Sequence, residues 1–175
     1  MRRFALICLL GLSSAAAMAA GGTGKMATVE LKSADGKTVG TAHLMSAKDG
    51  VSVNVSVKGL AAGTHGIHLH TVGSCQAPDF ASAGAHWNPG HKMHGTENPQ
   101  GSHMGDLPNL VANNAGMAHL KTTTSRVTLS DGPLSLFDAD GTAIIVHGNP
   151  DQGKTGEPKS GVSGGPRVAC GVFSK

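Results

Sequence analysis

The sequence predicts an all-β fold, an antiparallel sandwich or barrel of short strands with two long functional loops. Turn sequences such as Asp35-Gly36, Asp49-Gly50 and Asp138 to Gly141 separate short apolar segments, and 26 of the 175 residues are Gly. The segment from Val51 to Val57 alternates Val with polar residues, which is typical of a half-buried strand. Beyond residue 20 no segment has the apolar period of a helix.

The same patterns predict eight strands, each bounded by turn-forming residues. In chain order they are Met26 to Lys32, Thr38 to Met45, Val51 to Val57, His65 to His70, Gly116 to Thr122, Ser125 to Leu129, Thr142 to His147 and Arg167 to Phe173. A long segment after His70, rich in Gly, Pro, Asn and His, has no period, and Gly148 to Pro166 is a second long loop. Loops of this length in a compact domain are usually functional.

Residues 1–20 have the composition of a secretory signal peptide, which leaves residues 21–175 as a single domain. A basic start at Arg2 and Arg3 precedes an apolar run, and Ala17-Met18-Ala19 is a small-residue cleavage signal. The run is too short for a membrane anchor; the alternative is a buried first helix. We therefore expect an exported protein. Loss of both Arg residues lowers the net charge from +3 to +1, which favours neither nucleic-acid nor membrane binding.

Cys75 and Cys170 are the two cysteines outside the predicted signal peptide. An even pair in an exported protein predicts a disulfide, and two buried free thiols are the alternative.

Histidines concentrate in one stretch of the chain. Seven of the ten lie between Gly63 and Asp106. On a strand, the spacing of His68 and His70 puts both rings on one face. Imidazole binds zinc and copper, and a carboxylate such as Asp106 completes a tetrahedral site. A single His is more often a plain core or surface residue, but seven in one stretch indicate a metal site.

Five sequence blocks resemble, in order, those of the copper/zinc superoxide dismutases of the exported bacterial type. They are His65 to His70 (HGIHLH), Gly84 to Pro89 (GAHWNP), His103 to Leu107 (HMGDL), Ile144 to His147 (IIVH) and Gly165 to Val172 (GPRVACGV). The resemblance implies an eight-stranded Greek-key barrel, a fold of the Ig-like sandwich class. It also implies one copper and one zinc per chain. The implied copper ligands are His68, His70, His86 and His147, and the implied zinc ligands are His86, His94, His103 and Asp106.

Further roles follow from the same resemblance. Asp151 matches the carboxylate that hydrogen-bonds one copper and one zinc histidine, here His68 and His94. Arg167 matches the arginine that docks the anion beside copper, and Cys75 and Cys170 match the bridging cysteines. The implied reaction converts two superoxide anions and two protons to dioxygen and hydrogen peroxide, with copper alternately reduced and reoxidised. His86, shared by both metals, would exchange a proton.

Other residues lie outside this pattern. His65 resembles a structural histidine behind the copper site, and His91 is expected to be solvated, as are His43 and His119. Trp87 is expected to pack in the core. Lys154 or Lys159, in the second long loop, could steer the substrate, and the alternative is that each is a solvated lysine without that role. The chain is expected to be a monomer or a homodimer.

Two other functions are compatible with a histidine-rich β protein. A zinc hydro-lyase or hydrolase would leave His86, His94, His103 and Asp106 without a role, and the chain has no His-Glu-x-x-His motif. A copper carrier would be expected to use clustered Met and Cys ligands, whereas the Met residues here are scattered along the sequence.

Overall fold

A computed structural model describes residues 24–156 and 160–173. The predicted signal peptide lies outside these residues. Nine strands form one sheet: β1 Met26–Lys32, β2 Thr38–Ala47, β3 Gly50–Val57, β4 Gly63–His65, β5 Ile67–His70, β6 Leu110–Ala112, β7 Ala118–Thr124, β8 Thr142–His147 and β9 Arg167–Phe173. Helical structure in the described residues is limited to a short 3-10 turn, Ala81–Ala83, so no helix there could cross a membrane.

The strands are antiparallel and nearly close a barrel, in the order β4-β6-β7-β3-β2-β1-β9-β8-β5. The two outermost strands, β4 and β5, are separated by Gly66 alone. Gly66 N–H donates to the carbonyl of Asn149, and Gly66 O accepts from His147 N–H, each at 2.8 Å. The predicted strand from His65 to His70 is therefore one strand that changes partner at Gly66, pairing first with β6 and then with β8. Counted this way, the barrel has the eight strands expected.

The interior is filled by alternate side chains of the strands, as the period-two pattern predicts. In β3, the four Val residues at positions 51, 53, 55 and 57 are buried, while the residues between them point outward. Trp87 joins this core, as expected, with only 4% of its surface exposed. Strand β8 is buried along its whole length because β5 and β9 flank it.

One predicted strand is wrong and one was missed. Residues 125–129 are a bent loop, in which Thr128 N–H bonds to the carbonyl of Leu134 in the same loop. Val127 and Leu129 are buried there, so the predicted alternation of buried and exposed side chains is present. The segment does not pair with a neighbouring strand in a ladder. Strand β6 is three residues long and lies in a segment rich in Pro and Asn, so no strand was predicted there.

The predicted disulfide between Cys75 and Cys170 is present. It joins the loop after β5 to the last strand, with 5.7 Å between the two Cα atoms. Phe80, Ala83 and Ile145 pack around Cys170 in a small apolar cluster. The loop that follows β5 is thereby attached to the barrel wall.

Candidate metal centre

The first long loop lies along the edge of β5 that β8 leaves open. Leu69 N–H donates to Gly105 O at 2.9 Å, and Trp87 N–H donates to Leu69 O at 2.8 Å. Single bridges also pair His70 with His86 and His68 with Asp106. Only glycine fits at position 105, because a Cβ there would lie 2.4 Å from Leu69 O. Backbone pairing thus brings loop histidines beside strand histidines.

His68, His70, His86 and His147 form the first of two donor groups, with one ligand atom from each within 4.8 Å of the others. Three of these rings have one nitrogen bonded to an acceptor: His68 Nε2 to Asp151 at 2.5 Å, His70 Nδ1 to Gly84 O at 3.0 Å and His147 Nδ1 to Gly165 O at 3.0 Å.

The opposite nitrogens of these rings, His68 Nδ1, His70 Nε2 and His147 Nε2, are buried and without a hydrogen-bond partner. A ring that donates from one nitrogen carries a lone pair on the other. Buried lone pairs without partners are costly unless they bind a ligand. The donor set is all nitrogen, which suits copper.

The second group consists of His86, His94, His103 and Asp106, again within 4.8 Å of one another. The Nδ1 atoms of the three rings converge on Asp106, at 2.9 Å for His86, 3.3 Å for His94 and 3.4 Å for His103. Asp106 also accepts from the backbone N–H groups of His103 and Gly95. Three imidazoles and one carboxylate fit a closed tetrahedral zinc site.

His86 belongs to both groups. Its Nδ1 faces Asp106 and lies 3.3 Å from His103 Nδ1, so Nε2 is the atom left for the first group. Its ring centroid is 4.9 Å from that of His70 and 5.1 Å from that of His94. A single ring therefore separates the two sites.

Asp151 contacts one histidine of each group, the same two histidines that the resemblance implies. One carboxylate oxygen bonds to His68 Nε2, and the other lies 3.2 Å from His94 Nε2. Asp151 is positioned by Asn109, which the sequence analysis missed. The Asn109 side chain donates to Asp151 O at 2.8 Å and accepts from Asp151 N–H at 3.0 Å.

Three rings of the first group, those of His70, His147 and His86, have lowered pKa values. Burial lowers the pKa of His70 to about 2, and the charge of neighbouring His86 adds to the effect. Burial likewise lowers the pKa of His147 to about 3 and that of His86 to about 4. At neutral pH the rings of His70 and His147 need not release a proton to bind a metal, whereas His86 would release its one N–H proton to bind both.

In the second group, the pKa values are shifted by ion pairing as well as by burial. Burial opposes a charge on His94, but hydrogen bonds to Asp106 and Asp151 outweigh it and raise its pKa to about 9. Burial would raise the pKa of Asp106, but hydrogen bonds from three histidines hold it well below its usual range. The pKa of Asp151 is lowered in the same way by His68 and His94. A metal in this group would replace a proton that His94 holds at neutral pH.

Arg167 begins β9 and reaches across to the loop that the disulfide attaches. One guanidinium nitrogen donates to Phe80 O at 2.6 Å, and another donates to Gly84 O at 2.7 Å. Burial lowers its pKa from the usual value, while Asp79 opposes this, and an arginine remains cationic regardless. The side chain is thereby held next to His70, which uses the same Gly84 carbonyl.

Arg126 is a second residue that the sequence analysis missed. It follows β7, and its guanidinium donates to the hydroxyl of Ser102 and to the backbone carbonyl of Asp106. These two contacts enclose the segment that carries His103. A lone arginine in a predicted strand gave no signal of this role, because the contact joins distant parts of the chain.

The remaining histidines lie outside both donor groups. His65 is buried, with Nδ1 2.8 Å from His147 O and Nε2 2.9 Å from Ala61 O, which agrees with the structural role expected. His91, His43 and His119 are exposed, as predicted. Lys154 is also exposed, and Lys159 lies outside the described residues.

The chain is similar to known proteins over most of its length. The family model for copper/zinc superoxide dismutase matches residues 38–173. A Cu-Zn superoxide dismutase of Caulobacter vibrioides is 43% identical over 150 residues, which cover 84% of each chain. An extracellular Cu-Zn superoxide dismutase of Brugia pahangi is 36% identical over 151 residues, covering 82% of this chain and 73% of that protein.

Solved structures agree with this similarity. A double mutant of a superoxide-dismutase-like protein from Bacillus subtilis superposes with a TM-score of 0.79 at 36% identity, covering 85% of this chain and 97% of that one. A Cu/Zn superoxide dismutase from Brucella abortus gives a TM-score of 0.69 at 30% identity, covering 85% and 99%.

Proposed function

The chain belongs to the copper/zinc superoxide dismutase family, and we propose that its two donor groups form the catalytic centre of that family's reaction. It is an oxidoreductase acting on superoxide, with copper and zinc as cofactors. When bound, copper supplies one-electron chemistry, alternating between its two oxidation states as two superoxide anions and two protons become dioxygen and hydrogen peroxide. The proposed copper ligands are His68, His70, His86 and His147.

The proposed zinc ligands are His86, His94, His103 and Asp106. The observation that best supports the copper set is the way its rings use their two nitrogens. In three of them one nitrogen donates to a fixed acceptor, and the opposite, buried nitrogen has no partner. That arrangement sets each tautomer and leaves one lone pair aimed at a shared point.

His86 is proposed to move a proton. Its Nδ1 faces the zinc group, which leaves Nε2 as the atom that exchanges a proton on the copper side during turnover. A metal held at Nδ1 would lower the affinity of Nε2 for that proton. Asp151, bonded to His68 and to His94, is proposed to fix the position of one copper ligand relative to one zinc ligand.

Arg167 is proposed to bind the substrate anion. The full chain has a formal net charge of only +3, so attraction of superoxide depends on local charge. The two carbonyl contacts orient the guanidinium, and its remaining N–H groups are available to an anion.

Export to the periplasm is also proposed, with residues 1–20 as the cleaved signal peptide. One relative is named an extracellular enzyme, which supports a location outside the cytoplasm. Mass spectrometry of the native protein should find a mature terminus at Ala20 or Gly21. An intact Met1 terminus would refute export by this route.

Metal analysis combined with a dismutation assay tests the ligand assignment. The loaded protein should contain one copper and one zinc per chain and should dismutate superoxide. His147→Ala should lose copper and activity but keep zinc, because His147 belongs to one group only. Equal loss of both metals would contradict the assignment. Zinc alone without dismutation would instead favour a hydrolase, and copper without dismutation would favour a carrier.

A further inference from the structure

Two methionines that are far apart in sequence face each other on the outside of the barrel. Met26 of β1 and Met45 of β2 are direct partners in the antiparallel register. The two residues are 69% and 48% exposed, although methionine is usually a core residue. These methionines are scattered in the sequence, and only the β1–β2 pairing brings them together.

The hydrogen-bond pattern places this pair at a close position. Ser46 N–H donates to Lys25 O at 2.9 Å, so the neighbouring Lys25 and Ser46 form a hydrogen-bonded pair. In an antiparallel ladder the next pair, Met26 and Met45, is then of the non-hydrogen-bonded kind, whose side chains approach more closely. Both thioethers can therefore reach one point above the sheet.

His43 completes a set of three soft or borderline ligands. It lies two residues before Met45 on β2, so its ring is on the same outer face, and it is exposed. Its Nδ1 is 3.0 Å from the hydroxyl of Thr28, its partner across the two strands. In the tautomer in which Nδ1 donates to Thr28, Nε2 carries the lone pair and is available to a ligand.

We propose that Met26, Met45 and His43 bind Cu(I) on the barrel surface, separately from the catalytic copper. Thioethers select Cu(I), and an imidazole is a common third ligand for copper. Lys32 of β1 pairs with Cys170 of β9, so the start of β1 lies towards the Phe173 end of β9. Arg167 and the catalytic centre lie at the opposite end of that strand. This inference does not depend on the proposed catalytic mechanism.

An anaerobic titration of the enzyme loaded with copper and zinc tests the proposal. The enzyme is first reduced with ascorbate, so that its catalytic copper is Cu(I), and Cu(I) is then added in competition with bicinchoninate. We expect one further Cu(I) per chain, with sulfur neighbours in the copper X-ray absorption spectrum. Uptake of no further Cu(I) would overturn the proposal.

Conservative variants assign the site. Met26→Leu and Met45→Leu preserve side-chain volume and should leave folding and dismutation unchanged. Loss of a group that hydrogen-bonds to a metal ligand weakens metal binding about 10- to 100-fold. Loss of a ligand itself should therefore weaken Cu(I) binding by at least about 100-fold. His43→Ala should also weaken it. Met117→Leu, which removes another exposed methionine, is the control and should bind normally. If Met45→Leu binds Cu(I) as tightly as the wild type, the assignment is wrong.

Discussion

Arg167 and His70 share one hydrogen-bond acceptor, the carbonyl oxygen of Gly84. Arg167 donates to it at 2.7 Å and His70 Nδ1 donates to it at 3.0 Å. The arginine proposed to bind superoxide and a histidine proposed to bind copper are thus positioned by the same peptide group. The disulfide between Cys75 and Cys170 holds the loop that carries this carbonyl.

Replacing Arg167 should slow the reaction without removing the metals. Arg167→Ile deletes the local positive charge but not a proposed ligand, and the bond from His70 to Gly84 remains. We expect the catalytic rate constant to fall about tenfold, which corresponds to roughly 1.4 kcal/mol of transition-state stabilisation. Salt should slow the wild type, because it screens the attraction, and should slow the variant much less. Pulse radiolysis against ionic strength, at matched copper content, measures both effects.

Arg167→Lys distinguishes attraction of the anion by charge from binding of the anion by an oriented guanidinium. Lysine keeps the charge but cannot contact Phe80 O and Gly84 O with one planar group. It should therefore keep the salt dependence and lose part of the rate. If Arg167→Ile keeps the wild-type rate and salt dependence, Arg167 is only a structural residue of β9, and Lys154 becomes the next candidate for steering.

Most of the barrel could be predicted because its strands have a buried and an exposed face. The alternation in β3 matches the buried positions residue by residue. Alternation wrongly predicted a strand at Val127 and Leu129, where the side chains are buried by loop packing and not by strand pairing. It also missed β6, which is too short to show a period.

The histidines of the site could be predicted because ligand chemistry restricts the residue type at each position. The structure brings together all seven residues that the resemblance implied as ligands. Asn109 and Arg126 could not be predicted in this way, because each contacts backbone groups that any residue possesses: the carbonyl and N–H of Asp151 for Asn109, and the carbonyl of Asp106 for Arg126. The pairing of Met26 with Met45 required the strand register, which the sequence alone does not provide.

The metal-free protein should be most stable at about pH 7. In the unfolded chain the relevant histidines have a pKa near 6.5, whereas folding lowers the pKa of His70, His147 and His86 to about 2, 3 and 4. As pH falls below 6.5 the unfolded state therefore binds more protons, and stability falls. Each such proton contributes up to about 1.4 kcal/mol per pH unit.

His94 produces the opposite slope above pH 6.5. Its folded pKa is raised to about 9, so the stability it contributes is fully present below pH 6.5 and is lost as pH rises to about 9. Urea unfolding of the metal-free protein at several pH values measures the curve. His94→Gln should remove the decline on the alkaline side and keep the decline in acid. A wild-type curve that rises steadily from pH 6.5 to 9 would contradict this account.

Arg126 is not a proposed ligand, but its contacts are expected to strengthen zinc binding. Its two contacts, to the Ser102 hydroxyl and to the Asp106 carbonyl, restrain both sides of His103. Loss of a group that orients ligands typically weakens metal binding about 10- to 100-fold, and we expect a loss in this range for Arg126→Ala. Release of zinc to a chromogenic chelator measures it.

The contacts of Arg126, and not its charge, should produce this effect. Lys121→Ala removes a positive charge from an exposed position on the adjacent strand β7 and should leave zinc affinity unchanged. Arg126→Lys keeps the charge but cannot make both contacts with one planar group, so its zinc affinity should lie between those of Arg126→Ala and the wild type. Copper binding should change less than zinc binding, because the copper ligands on β5 and β8 belong to the barrel itself. If Arg126→Ala binds zinc as tightly as the wild type, backbone pairing along β5 is sufficient to hold His103 and Asp106 in place.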